Sequence, residues 1–170
     1  MFFMTTIQAS EMLSRVGFLS EGEGLMDQSG NAPMSRFPYS EKYSPQAVAR
    51  ALADSLRDST FVVAVITSTG MHPEAEDMNL YYGFRRGLQD HRSLLEAPGH
   101  LFEAEDFFHL RSFLFMIAAF RWDTLIYTSE EAAPMELARD QSVRFHHPNS
   151  AVSKKFEAAL TQKKIAASFH

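Results

Sequence analysis

Thr60-Phe61-Val62-Val63-Ala64-Val65-Ile66-Thr67 is the stretch on which the fold turns. It is rich in β-branched residues and apolar at both its odd and its even positions. A strand alternates its side chains between two faces, so both faces of this one need apolar cover. The spacing therefore predicts a central strand, covered on both sides, rather than an edge.

On its N-terminal side, Asp58-Ser59 breaks a helix that Ser44-Pro45 opens. Serine is a good N-cap and proline fits the first helical position. Val48, Leu52 and Leu56 recur every four residues, giving an amphipathic helix to about Arg57. On the C-terminal side, Ser68-Thr69-Gly70-Met71-His72 reads as a short loop, and Pro73 opens the next helix. Glu74, Glu76 and Asp77 lie in its first turn and Arg85, Arg86 and Arg92 toward its end, both placements matched to the helix dipole. Tyr81, Phe84 and Leu88 make its predicted buried stripe. Gly83 and Gly87 stand one turn apart and would admit another element closely, at a propensity cost of about 1 kcal/mol each.

Pro98-Gly99 marks a turn, after which a long helix is predicted from Glu103 to Arg121. Its second half is apolar all round, the pattern of a buried central helix. Thr124–Thr128, Met135–Ala138 and Ser142–His146 read as strands, the last two joined by a turn at Arg139-Asp140-Gln141. Asn149 or Ser150 caps a final helix whose buried face is Val152, Phe156, Ala159 and Leu160. At the other end, Thr5 and Gln8 have capping-box spacing for a helix over Thr6–Val16. Glycines and prolines interrupt all periodicity between residues 20 and 43. This order is not regular βαβ alternation. It predicts one domain over residues 1–170, of the α/β or α+β class. Its mixed β-sheet would be packed by about five helices in two or three layers, with a Gly/Pro-rich loop at 20–43.

Composition narrows the functions. The 170 residues include 16 Lys+Arg against 21 Asp+Glu, a formal charge of −5, which argues against a general nucleic-acid binder. There is no cysteine, which removes a disulfide framework, a Cys-ligated zinc, an iron–sulfur cluster and a cysteine nucleophile. The lack of disulfides fits a reducing, cytoplasmic setting. The longest apolar run, Phe113–Phe120, falls well short of the roughly 20 residues of a membrane span. Met1–Thr6 lacks the basic region of a signal peptide. A soluble protein without a membrane partner is expected.

Two segments stand out as candidate sites. The loop after the central strand brings Ser68, Thr69 and His72 together ahead of a helix start, at a strand end of the kind that binds ligands in α/β folds. The acids that follow it would repel a phosphate, and the spaced glycines and lysine of a P-loop are missing. The second segment, with Arg36, Phe37, Tyr39 and Tyr43, carries the aromatics and arginine that protein interfaces favour. His100, Glu103, Glu105, Asp106 and His109 include one carboxylate–imidazole half-pattern on one helix, too few ligands for a closed metal site. His146 and His147 would fall on opposite faces of a strand. No Gly-x-Ser-x-Gly elbow or nucleotide fingerprint occurs, so neither metal nor cofactor is expected. The leading expectation is a non-enzymatic protein-interaction module, an acidic inhibitor or immunity-type binder or a homo-oligomer subunit. The alternative is a small enzyme or ligand-binding protein in which Ser68 or Thr69 orients the ligand and His72 serves as acid–base.

Overall fold

The computed structural model describes residues 1–15, 34–39, 42–70, 74–130, 134–147 and 150–167, with side chains to residue 162. The strands are β1 (Phe2–Met4), β2 (Ser35–Pro38), β3 (Phe61–Ser68), β4 (Gly99–Glu103), β5 (Asp123–Thr128), β6 (Met135–Ala138) and β7 (Ser142–Phe145). The helices are α1 (Thr6–Arg15), α2 (Pro45–Ser55), α3 (Ala75–Gly87), α4 (Phe107–Phe120) and α5 (Ala151–Ala167). Together the strands form one seven-stranded sheet in the order β1-β4-β3-β5-β6-β7-β2.

The Thr60–Thr67 stretch is β3, and it lies inside the sheet between β4 and β5. Val62, Ala64 and Ile66 point to one face, into a core shared with Val48, Leu52, Leu114, Ile117 and Phe156 of the helices. Val63 and Val65 point to the other face and meet Ala9 and Leu13 of α1. The two-sided apolar pattern thus has apolar cover on both sides. Every neighbouring pair is antiparallel, so the fold is α+β and the sheet is not mixed. The late strands set that sense: few residues separate β5 from β6 and β6 from β7 along the chain, and a parallel pair would need a long crossover between each. No helix of the described residues is long and apolar enough to cross a membrane.

The local signals at the helix starts are made as expected. The Thr5 N–H donates to Gln8 Oε1 at 2.9 Å, and the Gln8 N–H donates to Thr5 Oγ1 at 3.2 Å. Ser44 Oγ accepts from the Ala47 N–H ahead of α2, and Ser150 Oγ accepts from the Ser153 N–H ahead of α5.

Three strands were not expected. β1 and β2 are the two edges of the sheet, and β4 occupies the segment predicted as a turn and a helix start. The helix begins only at Phe107, after a 3-10 turn over Ala104–Asp106. β2 falls inside the predicted 20–43 loop, where Pro38 is tolerated as the last residue of an edge strand. Of the rest of that loop, Met34, Tyr39, Lys42 and Tyr43 are described, and residues 20–33 and 40–41 lie outside the described residues.

Two packing expectations are corrected. α4 is not buried all round: Phe108 is 73% exposed and Phe115 44%, because the neighbouring elements cover only its inner side. Nor do the glycines of α3 admit another element. A Cβ on Gly83 or Gly87 would meet nothing within 4 Å. Gly83→Ala should therefore stabilise the fold by about 0.5–1 kcal/mol, through helix propensity alone. The check is a higher urea midpoint at unchanged slope. The glycine that a close approach does require is Gly99 of β4, where a Cβ would lie 3.2 Å from Met4 Cβ and carbonyl oxygen and 3.3 Å from Ala9 Cβ.

One charge that suits the helix dipole lies in the interior. Arg85 is fully buried on α3, one turn from Tyr81. Its Nη2 donates to Asp90 Oδ2 at 2.7 Å, and its Nη1 donates to the Ala97 carbonyl at 3.0 Å and to Tyr81 Oη at 3.2 Å. Tyr81 Oη lies 2.7 Å from His100 Nε2, and His100 Nδ1 lies 3.4 Å from the Ala64 carbonyl. A carbonyl can only accept, which places the imidazole proton on Nδ1 and makes Tyr81 the donor to Nε2. The chain of bonds runs from arginine through phenol and imidazole to the central strand. Asp90 also accepts from the Arg92 backbone and side chain, and Arg92 Nη2 reaches the Phe3 carbonyl of β1.

Candidate functional site

At the end of β3 the ladder to β5 slips between Ile66 and Ser68. The bulge turns Thr67 and Ser68 toward the start of β5 and the β6–β7 turn. Thr67 Oγ1 donates to the Asp123 carbonyl at 3.1 Å. Arg139, in the turn, ties the three pieces together. Its backbone N–H donates to Asp123 Oδ1 at 2.7 Å, and its Nη2 donates to Asp123 Oδ2 at 3.0 Å and to Ser68 Oγ at 2.8 Å. Ser68 Oγ also accepts from the Gly70 N–H at 3.1 Å. Gly70 has φ +87°, a left-handed conformation that a side chain would strain.

Over this staple lies a cleft of about 750 Å³. Thr69, Gly70, Asp123 and Arg139 line it beside the staple, Glu74 and Asp77 at the start of α3, and Phe120, Arg121 and Trp122 at the end of α4. Glu136, Asp140 and Arg144 complete the described lining. Arg144 donates to Glu136 Oε2 at 3.0 Å and to Asp140 Oδ2 at 2.7 Å, and Arg36 reaches the same Asp140 oxygen at 2.8 Å. Burial opposes ionisation of Asp140, but the Ser142 hydroxyl and the Arg144 guanidinium outweigh it and hold the carboxyl below its usual range. With the Gln141 amide turned so that its oxygen faces Arg121, it accepts from Arg121 Nε and Nη2 at 3.2 and 3.3 Å.

The lining thus divides in two. Asp123, Glu136 and Asp140 are locked to arginines, whereas the carboxylates of Glu74 and Asp77 have no ion pair or side-chain hydrogen bond among the described residues. Asp77 sits above the usual carboxylate range, through burial first and then the charges of Glu74 and Glu76. A cation brought to this wall would relieve that repulsion. No imidazole lines the cleft among the described residues, and no nucleophile–base pair is formed there. What the arrangement can do is hold a polar molecule between anchored guanidinium donors and two open carboxylates.

Of the residues singled out by sequence, Thr69 lies in the cleft wall, Ser68 lies beneath it in the grip of Arg139, and His72 lies outside the described residues. The strand-end rule that pointed there belongs to parallel α/β sheets, and this sheet is antiparallel. The concavity arises instead where a bulge, a tight turn and two helix ends meet. Sequence reasoning weighed Asp77 only as one of the acids that would repel a phosphate, and passed over Asp123, Arg139, Asp140 and Arg144 as site residues. The turn over 139–141 was legible, but the staple it makes with a strand 71 residues earlier has no local signature.

The aromatic set falls elsewhere. Phe37 packs edge-on against Phe145 and Phe156, at 5.8 and 5.9 Å between ring centres. Tyr39 is 2% exposed, and burial, with the nearby Asp140 charge, pushes its hydroxyl up to about 12. Tyr43 packs against the same core, and Arg36 alone stays half exposed, paired with Asp140. The structure does not bring these four together as one outward surface. In the acid–histidine group, His109 Nδ1 lies 3.5 Å from Asp106, which is already held by the Met1 α-amino group and the Glu103 N–H. No group of three potential metal ligands occurs among the described residues. Compared with known proteins, the chain matches no family model, no curated protein and no solved structure, so the cleft itself is the ground for a functional reading.

Proposed function

We propose that the chain is a binding protein for a small polar ligand carrying a cationic group, held in the cleft at the end of β3. The observation that carries this reading is the imbalance of its walls: five carboxylates face three guanidiniums among the described lining residues, and Glu74 and Asp77 are left without a partner. An ammonium or guanidinium would sit against those two carboxylates. Oxygen acceptors on the same molecule would take the remaining N–H groups of Arg121 and Arg139. Concave sites with a few fixed polar groups are where small ligands are recognised.

Calorimetric titration with a diamine, a guanidino acid and a dicarboxylate of similar length tests the proposal. The two cationic compounds should bind and the dicarboxylate should not. Asp77→Asn should weaken the cations at least tenfold, about 1.4 kcal/mol, without lowering the melting temperature, since the substitution relieves a like-charge contact. Equal binding of the dicarboxylate, or cation binding indifferent to Asp77, would sink the reading. A protein partner, the leading expectation from sequence, would use a different surface, the groove between α2 and α4.

A further inference from the structure

A second concavity, of about 490 Å³, lies between the start of α2 and the middle of α4. Ala47 and Arg50 form one wall; Arg111, Ser112, Phe115 and Met116 form the other. Unlike the cleft, this groove has two guanidinium groups and no carboxylate in its described lining. Arg50 and Arg111, like Arg86 and Arg121, have no acidic partner among the described residues, and they alone of these four stand together in one concavity that holds no carboxylate. Phe115 is 44% exposed at the groove, and Phe108, on the same helix face, is 73% exposed. On an acidic chain this is a local excess of positive charge bordered by exposed aromatic surface.

We propose that this groove docks a short acidic segment of a partner protein, with carboxylates on Arg50 and Arg111 and an apolar side chain on Phe115 and Met116. Charge complementarity selects the occupant, and paired guanidiniums suit carboxylates. Ser44 to Arg50 spans about 9 Å of helix, enough for about three extended residues. A symmetric contact with a second copy is disfavoured, because it would set Arg50 and Arg111 against their own counterparts.

The test is titration of ¹⁵N-labelled protein with the peptide acetyl-Glu-Glu-Leu-Glu-Glu-amide, followed by amide and guanidinium shifts. Saturable shifts confined to residues 44–50 and 108–116 are expected. The double variant Arg50→Glu/Arg111→Glu should bind at least tenfold more weakly with its circular dichroism unchanged, both side chains being exposed. Asp77→Asn should bind the peptide as the parent does. The proposal is overturned by an absence of shifts, by binding unchanged in the double variant, or by equal binding of the Gln-Gln-Leu-Gln-Gln peptide. It is equally overturned if inorganic phosphate alone saturates the same shifts, if phosphatidylserine vesicles bind there in place of the peptide, or if sedimentation shows a dimer that the double variant abolishes.

Discussion

Asp90→Ala should destabilise the protein by about 3–5 kcal/mol, a large share of the 5–15 kcal/mol that holds an ordinary domain together. Arg85 is fully buried, and Asp90 is its only acidic partner among the described residues. Removing the carboxylate leaves a guanidinium in the interior with no counter-charge. It also frees three donors of Arg92, loosening the 88–97 segment and its tie to β1. Arg85→Met should cost less. It removes the buried charge together with its desolvation, fills much of the same space, and leaves Asp90 paired with Arg92 at the protein's edge. Urea unfolding of the two variants measures the asymmetry. If Arg85→Met proves the more damaging, the buried guanidinium is a larger net stabiliser than this account allows.

The stability of the fold should fall from about pH 6.5 downward, earlier than carboxylate titration alone would bring it down. Burial, with the Arg85 charge beside it, pushes the His100 imidazole down to about 3, against 6.5 when exposed. Below pH 6.5 the unfolded chain takes up a proton at His100 that the folded chain refuses. Stability is then lost toward pH 3 with a slope approaching about 1.4 kcal/mol per pH unit. Asp90 acts in the same direction lower down. Burial opposes its charged form, but hydrogen bonds from Arg92 and Arg85 prevail and hold it well below the usual carboxylate range, so its contribution disappears only in stronger acid. His100→Gln keeps polar atoms near Tyr81 and Ala64 but cannot titrate. Its unfolding free energy should be flatter than that of the parent between pH 6.5 and 5. Parallel profiles for the two proteins would show that His100 is not the group responsible.

Much of the fold was legible because its signals are local. β3 announces itself by apolar residues on both faces, α2 by Ser44-Pro45, and α1 by the Thr5–Gln8 pair. β1 and β2, of three and four residues, are too short for a period to show. β4 becomes a strand through its pairing with β3, Val63 opposite Leu101, which local pattern does not encode. Arg85 reads only as a dipole-matched charge until Tyr81 is seen one turn before it and Asp90 beside it. The cleft was half legible. The loop at Ser68–Gly70 stood out, whereas Arg139 and Asp123 meet it only through tertiary structure.

The sheet order has a consequence for synthesis. β1 and β2 both come from the first 38 residues, yet they close opposite margins of the sheet. Six inter-strand spacings separate them, about 29 Å, and neither has a pairing partner until β4 or β7 exists. The second strand must wait for residues as late as Phe145, more than a hundred positions further along the chain, before it can dock. These two strands therefore cannot be set in place in the order in which the chain runs: β1 is held once β4 is there and β2 only once β7 is, like straps drawn around a frame already standing.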